Sequence, residues 1–315
     1  MEALSKDRDV WVAGGLALFT LLLFYFSIKA TQQHFDYTAR IASALLQGDV
    51  GLRKPAPSWL NEMVPANGNY YSVFPLGAVL SMMPVAVLQK IKLVHDFPGH
   101  ALAALIAALS VWFLFGLSVI GTKSLLQQSR EKSRVFIYFL IVPVALGLFT
   151  ALYNYARFHS IFDFGYSHIP NVLQEPWYQH GLFSFYAIPW NINKMLFEGF
   201  RDAPNFPFIS FYPFGCSIFL ASPFLFLLFR EGGPHKTAAW VAIGLLTFAL
   251  WAHGNPGGWQ FSYRYAMVLL PWMFLLLLGN GPAKISIIEL SLFIASITIN
   301  ALATYQFLWT DQIHP

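Results

Sequence analysis

The chain has 315 residues, of which 57% are hydrophobic, 17% aromatic and only 11% charged, against about 25% charged in soluble domains; its mean hydropathy is +0.54. A soluble fold of this length cannot hide so much apolar surface in one core, so the bilayer has to act as solvent. The net charge of +4 comes without a basic run interleaved with aromatics, which argues against nucleic acid and reads as the Lys/Arg excess of cytoplasmic loops. With Cys216 as the only cysteine, no disulfide can form within the chain.

A membrane span needs about 20 mostly apolar residues. In chain order, the segments that reach or approach this are Val10–Ile28, Val73–Leu88, Ala101–Gly121, Val135–Tyr153, Phe208–Phe229, Thr237–Ala252, Tyr263–Gly279 and Ile285–Trp309. The expected fold is therefore all-α, a polytopic transmembrane helical bundle of seven or eight membrane segments, with residues 1–315 forming one integral membrane domain. The first segment follows Lys6 and Arg8 but lacks a small-residue cleavage site, so it reads as a retained anchor with the N-terminus in the cytoplasm. Lys123, Arg130, Lys132 and Arg134, then Arg230 and Lys236, then Lys284, mark further cytoplasmic loops. Outer loops fall at 31–72, 154–206 and 254–262.

These assignments collide between loops 31–72 and 122–134, because an odd number of crossings must join them and two apolar segments lie between. Val73–Leu88 carries Pro75, Gly77 and Pro84, which break or kink a helix, so it is expected to be re-entrant or interfacial. The rival, favoured by Lys90 and Lys92, has both segments crossing and loop 122–134 outside. The long outer loops are expected to contain interfacial helices, one over Thr38–Leu46 and one around Ile188–Leu196. Tyr70, Tyr71, Trp177, Tyr178, Tyr186, Trp190 and Trp259 suit an aromatic belt at the outer interface.

Few residue patterns point to chemistry. No nucleophile elbow, zinc-protease pattern or cysteine cluster occurs, and Gly254, Gly257 and Gly258 form a turn where no strand is expected, unlike a phosphate loop. Asp36, in His34-Phe35-Asp36-Tyr37, stands just past the outer end of the first span; a partly desolvated carboxylate there can act as a general base, or simply serve as a helix N-terminal charge. Arg264, between Tyr263 and Tyr265, enters the membrane from outside and can bind phosphate through its guanidinium fork, or snorkel to headgroups. Asn154, Arg157, His159, Asp163, His168, Glu175 and His180 follow no metal-ligand spacing. No metal or other cofactor is therefore assigned, a divalent metal being compatible but unsupported. Glu289, about one turn inside the last span, is an intramembrane acid of the kind that often has a function.

Asp36 is followed by an amphipathic stretch, then Asn67-Gly68-Asn69-Tyr70-Tyr71, Phe74-Pro75-Leu76-Gly77 and Met83-Pro84. Tyr153-Asn154-Tyr155-Ala156-Arg157-Phe158 comes later, then Phe164-Gly165-Tyr166, Ser222-Pro223, Gly257-Gly258 and Tyr263-Arg264-Tyr265. In kind and order these pieces resemble the bacterial GT-C membrane glycosyltransferases, which use polyprenyl-phosphate-linked sugars. The resemblance implies an inner (plasma) membrane enzyme that moves a sugar from a polyprenyl-phosphate donor to a glycan, lipid or protein acceptor on the outer face. It implies Asp36 as the catalytic residue and Arg264 as the donor-phosphate contact. Tyr263, Tyr70, Tyr71, Asn154, Arg157 and His159 are the further candidate substrate-binding residues. The chain departs from that group in two ways: fewer helices lie between the Phe-Pro-x-Gly and Tyr-Asn pieces, and His159 stands where glycine is expected. A non-catalytic lipid-binding or scaffold subunit of the same fold is the alternative reading, with a small transporter behind it.

Overall fold

The computed structural model describes residues 2–27, 34–124, 132–231, 233, 236–280, 285–310 and 312–313. Arg130 and Lys284, two of the cations used to orient the chain, lie outside the described residues. The chain falls into two compact units, Met1–Val172 and Leu173–Pro315.

In the first unit, helix α1 (Glu2–Ser27) packs along α5 (Gly99–Ser124). Among the described residues of this pair only Ala13, Ala104 and Ala108 are buried. A side chain added at Gly14 would come 3.4 Å from the Trp112 ring. Small residues at the contact let apolar helices approach closely where lipid supplies no hydrophobic drive. Between them come α2 (Tyr37–Leu45), the antiparallel hairpin β1 (Met63–Ala66) and β2 (Asn69–Ser72), α3 (Leu76–Ser81) and α4 (Met83–Lys90); α6 (Lys132–Phe158) closes the unit. Tyr37 and Ile41 of α2, Met63 of β1, Val79 of α3, Ala86 of α4 and Tyr153 of α6 share one core cluster.

The segment Val73–Leu88 is broken, as its prolines predict. Pro75 precedes α3, Pro84 opens α4, and the two helices have 6 and 8 residues, too short to cross a bilayer. The helix expected over Thr38–Leu46 forms as α2, with Tyr37, Ala39, Ile41, Ala42 and Ala44 buried.

The second unit begins with short 3-10 turns, α7 (Ile188–Ile192) and a π turn (Asn193–Phe197), which occupy the expected Ile188–Leu196 helix. Next come the hairpin β3 (Phe200–Asp202) and β4 (Ile209–Phe211), α8 (Ile218–Ala221) and a 3-10 helix at Pro223–Phe229. α9 (Lys236–Ala252), a 3-10 turn at Arg264–Leu269, α10 (Leu270–Asn280) and α11 (Ile287–Trp309) complete it. The two hairpins correct the all-α expectation, which left no place for strands.

Among the described residues four helices are long and apolar enough to cross a membrane: Arg8–Ser27, Gly99–Val119, Ile141–Phe158 and Ile287–Trp309. Lys236–Ala252 and Arg264–Gly279 are shorter apolar stretches. The expected span Phe208–Phe229 is not one helix. Pro213 and Pro223 interrupt it, and at Gly215 (φ +102°) a Cβ would meet the Ser262 carbonyl at 2.7 Å. The interruption leaves backbone groups without helical partners, and α11 supplies them. Ser296 Oγ accepts from the Phe224 N–H at 3.2 Å, Asn300 Nδ2 donates to the Ala221 carbonyl at 2.7 Å, and Gln306 bridges Ile209 and Phe211. Glu289 is likewise architectural: it closes a capping box with Ser286 and accepts a 2.5 Å hydrogen bond from Arg230.

Gln306→Leu leaves the Ile209 carbonyl and Phe211 N–H buried without their partner, so it is expected to lower unfolding free energy by about 1–3 kcal/mol. Chemical denaturation in detergent checks this; an unchanged midpoint would mean the stripe on α11 carries no load.

Candidate functional site

In the first unit Asp36 stands at the N-cap position of α2, but its side chain makes no capping bond. Its Oδ1 instead accepts from Arg40 Nε at 2.8 Å, one helical turn on. The Asp36 side chain is 12% exposed and that of Arg40 36%. Both line a cleft of about 1040 Å³. Its wall also carries Asp49, Arg53 and Lys54 from the following loop, and His95 and Asp96 from the α4–α5 connection. The loop is held by the hairpin: Leu52 and Tyr70 exchange backbone hydrogen bonds at 2.8 and 2.9 Å, and at Gly51 a Cβ would strike the Tyr71 ring at 2.6 Å. A large cleft with a carboxylate at the start of a helix, where the macrodipole favours negative charge, suits proton abstraction from a bound hydroxyl or recognition of a charged ligand.

Of the other candidates in this unit, Asn154 and Arg157 are fully buried. The Arg157 guanidinium donates to the Ser72 carbonyl and to Asn154 Oδ1, each at 2.5 Å, and lies over the rings of Tyr153 and Phe158 at 4.0 and 4.8 Å. The Arg157 carbonyl accepts from Asn67 at 3.0 Å. These residues clamp the hairpin to α6. Tyr71 is also buried, edge-on to Phe158, and Tyr70 pairs with Leu52 and packs on the core. His159 is exposed at the end of α6 with φ +56°. That left-handed helix end is a place where glycine is usual, which accounts for the glycine expected there.

After α6, Asp163 Oδ2 meets His168 Nε2 at 2.8 Å and its Oδ1 accepts from the Gly165 N–H at 2.7 Å. Burial opposes the Asp163 carboxylate, but the His168 bond, the Gly165 bond and the charges of His168 and Arg157 outweigh it and hold its pKa below the ordinary 3.8.

In the second unit Tyr263 is buried, its hydroxyl donating to the Leu250 carbonyl at 3.3 Å. Arg264 is exposed, 5.8 Å from the Tyr265 ring, with no acidic partner among the described residues. It lies on a cleft of about 340 Å³ whose other walls include Leu225, Trp259, Phe261, Met267 and Leu270. A single cation on an apolar wall matches a ligand with an anionic head and a hydrocarbon tail. Trp177, His180, Tyr186 and Trp190 border a further cleft of about 230 Å³. Trp190 and Tyr186 are exposed as expected of belt residues, whereas Tyr178 is buried.

Arg40 is the main site residue that sequence reading missed. Its signal was present, an arginine four positions after an aspartate on a helical stretch.

Comparison with protein families, curated proteins and solved structures finds no match to this chain.

Because the Asp163 pKa is depressed on folding, its contribution to stability is full above the ordinary carboxylate value and is lost as pH falls through the lower folded value. Asp163→Asn is therefore expected to lower the melting temperature near neutral pH and to match the wild type in strong acid. A deficit that persisted in strong acid would point to a role other than charge.

Proposed function

We propose that this chain is a membrane glycosyltransferase that moves a sugar from a polyprenyl-phosphate donor to an acceptor hydroxyl at the outer face of a bacterial inner membrane. The observation that carries the reading is Asp36. It directly follows the first candidate span in sequence, begins a helix packed on the hairpin, and opens onto a cleft of about 1040 Å³. Two further features support it: the ordered likeness to GT-C motifs, and the solitary Arg264 on a largely apolar cleft.

Asp36 takes the proton from the acceptor O–H as that oxygen bonds to the anomeric carbon. The bond from that carbon to the donor's phosphate oxygen breaks, and its electron pair leaves with the phosphate. The sugar, the acceptor and the lipid length depend on contacts beyond Asp36.

The test uses the full chain in nanodiscs with a polyprenyl-phosphate-linked sugar and a glycan acceptor. Asp36→Asn is expected to reduce transfer by a factor on the order of 10²–10⁴ while the protein still folds and inserts. Full transfer by Asp36→Asn would rule the reading out. Donor binding without turnover by the wild type would favour a lipid-binding subunit of the same fold.

A further inference from the structure

In the geometry observed Arg40 Nε occupies Asp36 Oδ1 at 2.8 Å, so that oxygen is open to an acceptor hydroxyl only once Arg40 moves. The cleft offers a means. Arg40 spends only Nε on Asp36, and its two terminal nitrogens have no hydrogen-bond partner among the described residues. Lys54, on the same cleft, has no partner among the described residues either. Arg53 is engaged with Asp49 at 2.8 Å. Counting formal charges, Arg40, Arg53 and Lys54 face Asp36, Asp49 and Asp96, with His34 and His95 on the same walls.

We propose that Arg40 is a gate on Asp36: a phosphate group entering this cleft binds the terminal nitrogens of Arg40, with Lys54 as its second contact, and swings the guanidinium off the Asp36 carboxylate. The proposal rests on the reading of Asp36 as general base and adds how that base is held inactive until substrate arrives. The chemistry fits the partners. The guanidinium fork binds phosphate in bidentate fashion, and Arg40 is the more exposed member of the pair and so the one free to turn. The ligand class is a phosphate monoester or diester, whether a lipid headgroup or a soluble phosphate.

Competition for one arginine gives an unusual signature, because removing the acid should strengthen binding. Affinity for dodecyl phosphate and for inorganic phosphate is measured on the full chain in zwitterionic detergent for the wild type and for variants. Asp36→Asn is expected to tighten binding about tenfold and Arg40→Gln to weaken it about tenfold, with Arg40→Lys between. Asp96→Asn removes an equal charge from the same cleft without freeing Arg40, so its gain is expected to stay below about threefold. Asn and Ser both suit an N-cap, so Asp36→Ser repeats the measurement where Asp36→Asn disturbs the fold. Tighter binding of dodecyl phosphate than of inorganic phosphate, with the Asp36→Asn gain, supports the gate with a lipid headgroup as its key. Equal affinities with that gain support it with a soluble phosphate. Unchanged affinity in Asp36→Asn, or a gain no larger than that of Asp96→Asn, overturns the gate. If transfer is lost in that same variant, the assignment of Asp36 as base still stands. Transfer that survives Asp36→Asn removes the base reading and the gate's purpose with it, whatever the affinities.

Discussion

Backbone that leaves a helix inside a packed apolar unit carries N–H and C=O groups that need partners, and each costs several kcal/mol if buried alone. This constraint shapes both units. In the first, the chain leaves the helical pattern for the β1–β2 hairpin, and α6 meets it with Arg157, which bonds the Ser72 carbonyl, and with Asn154, which supports Arg157. In the second, the chain breaks between β4 and the 3-10 helix at Pro223–Phe229, and α11 meets it with Ser296, Asn300 and Gln306. In each case an apolar helix carries a few polar side chains on its packed face, and those side chains are spent on neighbouring backbone. A buried polar residue in this protein is therefore more often a support than a site.

The same support explains how Asp36 comes to line a cleft. Arg157 fixes the hairpin, and the hairpin fixes the loop that carries Arg53 and Lys54 through the Leu52–Tyr70 pairing. The core shared by Tyr37, Ile41, Met63 and Val79 seats α2 against hairpin and broken helix alike. The site is thus built on pairing and packing, with its charged groups on the open side. Charge alone does not define it: the carboxylate is held by its own helix neighbour, and the chemistry depends on what can compete for that neighbour.

Much of the first unit was legible from the chain. The apolar runs gave α1, α5, α6 and α11, because length and composition suffice for a helix that lipid surrounds. Pro75 and Pro84 marked the break in Val73–Leu88, and the period of Thr38–Leu46 marked α2. The hairpins were not legible. β1 and β2 have four residues each, too short for an alternation to stand out among neighbouring apolar residues, and they exist through tertiary pairing. Phe208–Phe229 read as a span because hydropathy ignores where Pro213 and Gly215 turn the chain. That Arg157 and Asn154 bond the Ser72 carbonyl and each other was not legible, because residue type does not say which backbone group a polar side chain reaches. The Asp36–Arg40 pair lay in plain view at helical spacing, yet its meaning came only with the cleft around it.

The proposed reaction breaks the bond between a sugar and a lipid phosphate. The most direct measurement is mass spectrometry of the lipid fraction after the purified full chain, in nanodiscs, meets a polyprenyl-phosphate-linked sugar and an acceptor. Free polyprenyl phosphate is expected in amounts equal to the glycosylated acceptor, formed only when the acceptor is present. Donor recovered intact from a protein that demonstrably binds it, across a panel of sugars and acceptors, would contradict the proposed transfer.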